Sequence, residues 1–124
     1  MSKPLGKVVV VGAGLAGSEA SYFLASKGVE LILLECKTQK RGPHQKMDHF
    51  CELVCTNSLK SVNPESGHGL LKGEMEALGS LVLKTAFEHK VPAGDALAVD
   101  RELFSSAMTT KLKNHPKITV IEEE

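Results

Sequence analysis

The spacing of apolar and polar positions changes several times along the chain. Val8–Val11 is a continuous β-branched run and Leu31–Leu34 is an apolar run of the same length. Such runs predict parallel strands buried on both faces. Between them, Leu15, Glu19, Tyr22, Phe23 and Ser26 divide a helical segment over about 15–27 into two faces, and Gly28 supplies the stop. Leu70, Leu71, Met75 and Leu78 lie near helical spacing and predict a short helix over 70–78, ended by Gly79. Leu81-Val82-Leu83 reads as strand-like, residues 91–95 as a turn, and Ala96-Leu97-Ala98-Val99 as a short extended piece. Asp100 is suited to cap a helix with Glu102 in its first turn. Leu103, Phe104, Ala107, Met108 and Leu112 form that helix's apolar face, with Phe104 and Met108 expected in the core, and Asn114-His115-Pro116 closes it. Ile118-Thr119-Val120-Ile121 predicts a last strand. Residues 37–47 and 63–69 have no period and read as loops, the first expected to be mobile until a ligand covers it. Thr56-Asn57-Ser58-Leu59-Lys60 is a polar cluster suited to a turn or binding loop.

Gly12-Ala13-Gly14-Leu15-Ala16-Gly17 connects the first strand to the first helix. In this position Gly12 permits a tight turn, Gly14 lets a pyrophosphate approach the backbone, and Gly17 lets the helix pack closely on the strand. The helix N-terminus offers free N–H groups and the positive end of its dipole to the phosphates. Glu35, at the carboxyl end of the second strand, is placed to accept hydrogen bonds from ribose hydroxyls. A glycine-rich turn alone is weak. With a strand before it, a helix after it and an acid on the second strand, the context predicts dinucleotide binding. An ordinary βαβ unit without ligand is the bland alternative.

The totals narrow this picture. At 124 residues the chain is at most one domain with a modest core. Fifteen basic residues balance fifteen acidic ones, so no global charge argues for nucleic acid, although a local basic patch stays compatible with RNA. The apolar runs are far too short to cross a bilayer. Met1-Ser2-Lys3-Pro4 leads directly into the first strand, leaving no room for a signal peptide, so a cytoplasmic location is expected. Cys36, Cys51 and Cys55 are odd in number and read as reduced thiols. His44, His49, Cys51 and Cys55 crowd together, but their spacing does not match paired metal-ligand knuckles, so no metal site is expected. After Glu35 the chain supplies fewer strands than a nucleotide-binding sheet usually has. It is therefore expected to be the N-terminal part, residues 1–124, of a dinucleotide-binding domain, with an apolar sheet surface left exposed.

Several blocks in order resemble the folate- and FAD-dependent tRNA uracil-5-methyltransferases. They are Val9-Val10-Val11-Gly12-Ala13-Gly14-Leu15-Ala16-Gly17-Ser18-Glu19-Ala20, Glu52-Leu53-Val54-Cys55-Thr56-Asn57-Ser58-Leu59, Gly69-Leu70-Leu71-Lys72-Gly73-Glu74-Met75, and 91–101, which contains Ala96-Leu97-Ala98-Val99-Asp100-Arg101. The glycine turn is shared by many flavoproteins; the cysteine loop and the last block are much more specific. The resemblance implies an α/β, Rossmann-like FAD-binding fold of the glutathione-reductase type, incomplete here. It implies an enzyme that methylates uridine C5 in the tRNA T-loop. Methylenetetrahydrofolate would donate the carbon, and FAD reduced by NADPH or NADH the electrons. A related branch acts on ribosomal RNA, and these residues do not separate the two. A generic FAD or NAD(P) oxidoreductase and a non-catalytic nucleotide-binding module are the other readings.

The same resemblance implies site residues. Uracil C5 is a poor nucleophile, so a thiolate adds at C6 to make an enolate that attacks the one-carbon electrophile; the C5 proton must then leave and a hydride arrive to finish the methyl group. Cys55 matches the family's functional cysteine in this half and takes a catalytic thiol role, read as acid–base; the family's second functional cysteine lies beyond Glu124. Cys36 and Cys51 match no family cysteine and read as structural. Gly12, Ala13, Gly14, Leu15, Ala16, Gly17 and Glu35 are implied to bind the ADP part of FAD, Asn57 and Ser58 to lie near the flavin, and Arg101 near the cofactor. His44 and His49 read as solvated loop residues rather than phosphate or folate ligands. The chain departs from the family at Glu35-Cys36-Lys37-Thr38, where Met-Arg-Pro usually follows the acid, at Thr56 for Ser, and at Lys60 for Arg. On this reading residues 1–124 alone are expected to be inactive.

Overall fold

A computed structural model of the chain describes residues 6–124; the expected lead-in at residues 1–4 lies outside them. The first strand, β1 (Val8–Val11), passes through the glycine turn into α1 (Leu15–Ser26), and β2 (Leu31–Leu34) returns beside it. Then follow β3 (Ser58–Ser61), α2 (Gly67–Ala77), α3 (Leu81–Glu88), β4 (Lys90–Val91), β5 (Ala96–Val99), α4 (Arg101–Lys113) and β6 (Ile118–Ile121). β1, β2 and β6 form a parallel sheet with β2 in the centre, in register Val8 to Leu31 and Leu31 to Ile118. A second, antiparallel sheet has β5 between β3 and β4. All of that sheet, with α2, α3 and α4, lies in the connection between β2 and β6.

The core is built where helices meet the inner face of the parallel sheet. Leu33, Phe50, Leu83, Leu97, Phe104, Met108 and Leu112 are fully buried together. Phe104, Met108 and Leu112 recur at helical spacing on α4, as the pattern predicted. Asp100 caps that helix, its carboxylate accepting from the Leu103 N–H at 3.0 Å.

Four expectations are corrected. Leu81-Val82-Leu83 is not a strand but the first turn of α3. All three side chains are buried, so the run reported burial and not conformation. The helix is set by its N-terminus: the Ser80 hydroxyl accepts from Leu83 N–H, and Glu19 of α1 accepts from the Leu81 and Val82 amides at 2.7 and 3.3 Å and from the Ser80 hydroxyl. Secondly, β1 is not buried on both faces. Val9 is 46% and Val11 80% exposed, while Val8 and Val10 pack inward, because among the described residues helices cover only the inner face. Thirdly, part of the polar cluster at 56–60 is β3, paired with β5 through Ser58 and Ala98. The helix expected over 70–78 begins earlier, at Gly67, because the Ser66 hydroxyl caps it by accepting from Gly69 N–H at 3.0 Å.

Candidate functional site

The glycine turn has the geometry its sequence implies. Gly12 has φ +98°, a left-handed conformation that a side chain rarely adopts, and its N–H donates to Leu34 C=O at 2.7 Å. A Cβ at Gly17 would lie 1.8 Å from the Gly12 carbonyl oxygen, so only glycine permits the helix to approach the turn this closely. Gly14 is different. Its φ is −74°, open to any residue, and a Cβ there would meet nothing within 4 Å. The fold does not need glycine at Gly14; the space in front of it is what glycine preserves.

Gly14 is the N-cap of α1 and offers no side chain, whereas Ser66, Ser80 and Asp100 cap α2, α3 and α4. The amides of Leu15, Ala16 and Gly17 bond nothing among the described residues. These are orphan donors of a helix N-terminus, in a form that suits phosphate oxygens. Glu35 stands beside them. Its Oε2 accepts from Ala13 N–H at 2.7 Å, and its Oε1 has no partner among the described residues. The carboxylate is thus held against the turn with one oxygen free to accept a hydroxyl. An uncapped helix start, open space at Gly14 and a fixed acid fit a dinucleotide.

The wall behind the turn escaped the sequence reading. Cys51 is buried with φ +56°; its N–H donates to Ala13 C=O at 2.9 Å and its thiol to Gly14 C=O at 3.6 Å. Burial pushes this thiol up to about 11, moderated by the neighbouring Ser18 hydroxyl, so it stays protonated and able to donate. Ser18 Oγ is itself buried without a hydrogen-bond partner of normal geometry. Phe50, one residue earlier, donates its N–H to Thr109 Oγ1 at 2.7 Å and accepts from the Ser105 hydroxyl. One residue later, Glu52 pairs with Lys37 at 2.8 Å, the two side chains being 5% and 4% exposed, and Lys37 also donates to His49 C=O at 2.6 Å. Burial acts to raise the Glu52 carboxyl, but Lys37 and the Lys46 and Met47 amides outweigh it and hold it below the usual carboxylate value. Loop 37–47 has no regular element but is therefore tied at its ends. Lys37, a departure from the family's arginine, is the anchor.

Among the described residues the remaining predicted residues make no hydrogen bond to the turn. Cys55 is exposed and free, in the loop leading to β3; Cys36 is also exposed and free, its thiol 3.7 Å from Lys40 C=O. Asn57 is committed to the second sheet, its side-chain amide donating to Val99 C=O at 3.1 Å and its carbonyl accepting from Val99 N–H at 2.9 Å. Ser58 Oγ accepts from Lys60 N–H at 3.1 Å. Arg101 is exposed in the first turn of α4. Among the described residues, of the predicted site residues outside the glycine turn, Glu35 alone is joined to the turn, by one hydrogen bond. His44 is exposed, and His49 is half-buried with an unpartnered Nδ1. Among the described residues no three His, Cys, Asp or Glu side chains converge on a metal position, and no helix is long and apolar enough to cross a membrane.

Comparison with known proteins extends this picture. The chain is 54% identical over 118 residues to the methylenetetrahydrofolate–tRNA-(uracil-5-)-methyltransferase TrmFO of Sulfurihydrogenibium sp. (strain YO3AOP1), covering 95% of this chain and 27% of that protein. It is 53% identical to the protein of the same name from Myxococcus xanthus and 50% identical to that from Aquifex aeolicus, again over 95% of this chain and 26% of each relative. The chain thus spans about a quarter of the length of the relatives it matches. Aquifex aeolicus GidA, solved in its form II crystal, superposes with a TM-score of 0.72 at 18% identity, covering 95% of this chain and 19% of that one. That likeness shows the fold: an α/β, Rossmann-like unit with a parallel sheet. Residues 7–124 match the glucose-inhibited division protein A family, and the chain belongs to that family.

Proposed function

We propose that residues 1–124 are the N-terminal, FAD-binding part of an enzyme that methylates uridine C5 in the T-loop of tRNA, with methylenetetrahydrofolate as carbon donor. The observation that carries this reading is the 50–54% identity to proteins named for that reaction. The site geometry supports the cofactor half of it. Leu15, Ala16 and Gly17 direct orphan amides to the FAD pyrophosphate, Gly12 and Ala13 shape the turn, Gly14 leaves room, and the free oxygen of Glu35 accepts from the ribose. Asn57 Oδ1, the Ser58 hydroxyl proton and Arg101 remain for the flavin end and the rest of the cofactor. Bound FAD, reduced by NADPH or NADH, supplies the hydride that completes the methyl group.

Cys55 acts on the pyrimidine. Its exposed thiol, in the loop ahead of β3, serves as the acid–base group: as the thiolate it takes the C5 proton after C5, made nucleophilic by addition at C6, has bonded the one-carbon unit. Tying Asn57 to Val99 fixes the loop two residues after the thiol. The enzyme works on RNA in the cytoplasm.

The test uses protein expressed from its complete native reading frame. Purified with bound FAD, it is incubated with NADPH, methylenetetrahydrofolate and tRNA lacking 5-methyluridine. The expected result is 5-methyluridine in the T-loop, lost in Cys55→Ala with FAD retained. Methylation of ribosomal RNA instead, or bound flavin with no RNA product, would overturn the tRNA reading.

A further inference from the structure

The segment Phe50–Cys51–Glu52 lies behind the glycine turn, and nothing in the proposed chemistry requires it. Two of its features are costly. Cys51 holds a left-handed backbone at φ 56°, a conformation that non-glycine residues rarely adopt, and an ion pair is buried at Glu52. Both are local expenses that the surrounding structure must impose. Their common result is that Cys51 meets the turn at two successive carbonyls, Ala13 through its N–H at 2.9 Å and Gly14 through its thiol at 3.6 Å.

We propose that this segment is a brace that positions the glycine turn for its ligand before the ligand arrives, with Cys51 as the positioning residue. The inference rests on the reading that the turn binds FAD. Each peptide plane links a carbonyl to the next amide, so tying down the Ala13 and Gly14 carbonyls sets how the Gly14 and Leu15 amides point. Ala13 is held at both ends, since its own N–H is bonded to Glu35. The brace is anchored independently of the turn on two sides. Ser105 and Thr109 of α4 hold Phe50 through its carbonyl and amide, and Lys37, just past β2, holds His49 and Glu52. Among the described residues neither anchor hydrogen-bonds to the turn. Pre-setting those amides removes ordering cost from binding, which is how preorganisation raises affinity.

Two substitutions at Cys51 separate the backbone contact from the side chain. Gly accepts φ +56° and keeps the N–H bond to Ala13, whereas Val disfavours that conformation and pulls the N–H away. In apoprotein from the complete reading frame, FAD affinity is measured by flavin fluorescence, and amide hydrogen exchange is followed at residues 13–17. Cys51→Gly, which gives up only the thiol tie to Gly14, is expected to bind FAD about threefold more weakly than the parent. Cys51→Val is expected to bind at least tenfold more weakly, with faster exchange at 13–17. Thr109→Val, which removes the acceptor of the Phe50 N–H on α4, is expected to weaken FAD binding about three- to tenfold and supplies the measurement if Cys51→Val does not fold. Parent affinity in both Cys51→Val and Thr109→Val, or in Thr109→Val when Cys51→Val is unfolded, overturns the brace. So does a Cys51→Gly defect as large as that of Cys51→Val. A parent protein that binds no FAD overturns instead the cofactor reading on which the brace depends.

Discussion

Replacing Gly17 by Ala would put a methyl carbon 1.8 Å from the Gly12 carbonyl oxygen and 3.0 Å from its carbon. Ordinary contact lies roughly 1.5 Å farther out, and the obstacle is backbone, so neither rotamer change nor side-chain give can relieve it. Either α1 moves off β1 or the turn opens. Overpacking of this kind costs about 3 kcal/mol or more. Ala is the better helix former by only about 1 kcal/mol, so the steric cost wins and net destabilisation of at least about 2 kcal/mol is expected. Gly14→Ala is the control within the same turn. With φ −74° and open space for the Cβ, a small loss from a poorer N-cap is offset by a stiffer unfolded chain, leaving stability within about 0.5 kcal/mol. Its methyl group instead occupies the open space in which the proposed FAD pyrophosphate would sit, so FAD affinity should fall at least tenfold. Denaturant unfolding of the apoproteins reads the first quantity and FAD titration the second. A Gly17→Ala protein as stable as the parent would refute the close-approach argument, and a Gly14→Ala protein that binds FAD normally would remove the ligand from that space.

Lys37→Met should destabilise the fold by about 3 kcal/mol, because it leaves Glu52 covered and without its cation. This lower end of the range applies because the pair lies near the surface beneath its own loop. Equilibrium unfolding checks it, and Lys37→Met combined with Glu52→Leu should recover most of the loss. The Glu52 carboxyl is lowered in the folded protein, so its contribution is fully present above the ordinary value of 4.5 and is lost as pH falls through the depressed folded value. Stability measured downward from pH 6 should therefore decline less steeply in the double variant than in the parent. Asp100→Ala removes the acceptor for Leu103 N–H and should cost about 1 kcal/mol, with Asp100→Asn close to the parent, as read by thermal unfolding.

The strand–turn–helix–strand unit was readable because its determinants are local. Val8–Val11, the three glycines, the α1 pattern and Leu31–Leu34 each act within a few residues, and the position of Glu35 follows from strand length. The Asp100 cap and the apolar face of α4 were legible for the same reason. Leu81-Val82-Leu83 was not, since three apolar residues report burial without a period, and the group that helps cap their helix is Glu19, distant in sequence on α1. The exposed outer face of β1 likewise depends on which layers pack against the sheet, and not on the valines themselves. Cys51 carried only the signal of a buried small residue. Its grip on Ala13 and Gly14 exists because Lys37, Ser105 and Thr109 converge on one segment from distant parts of the chain. Local patterning therefore sufficed for β1, α1, β2, α4 and β6 and for the shape of the glycine turn. The support behind it came from long-range hydrogen bonds, whose partners are chosen by packing geometry rather than by neighbouring residues.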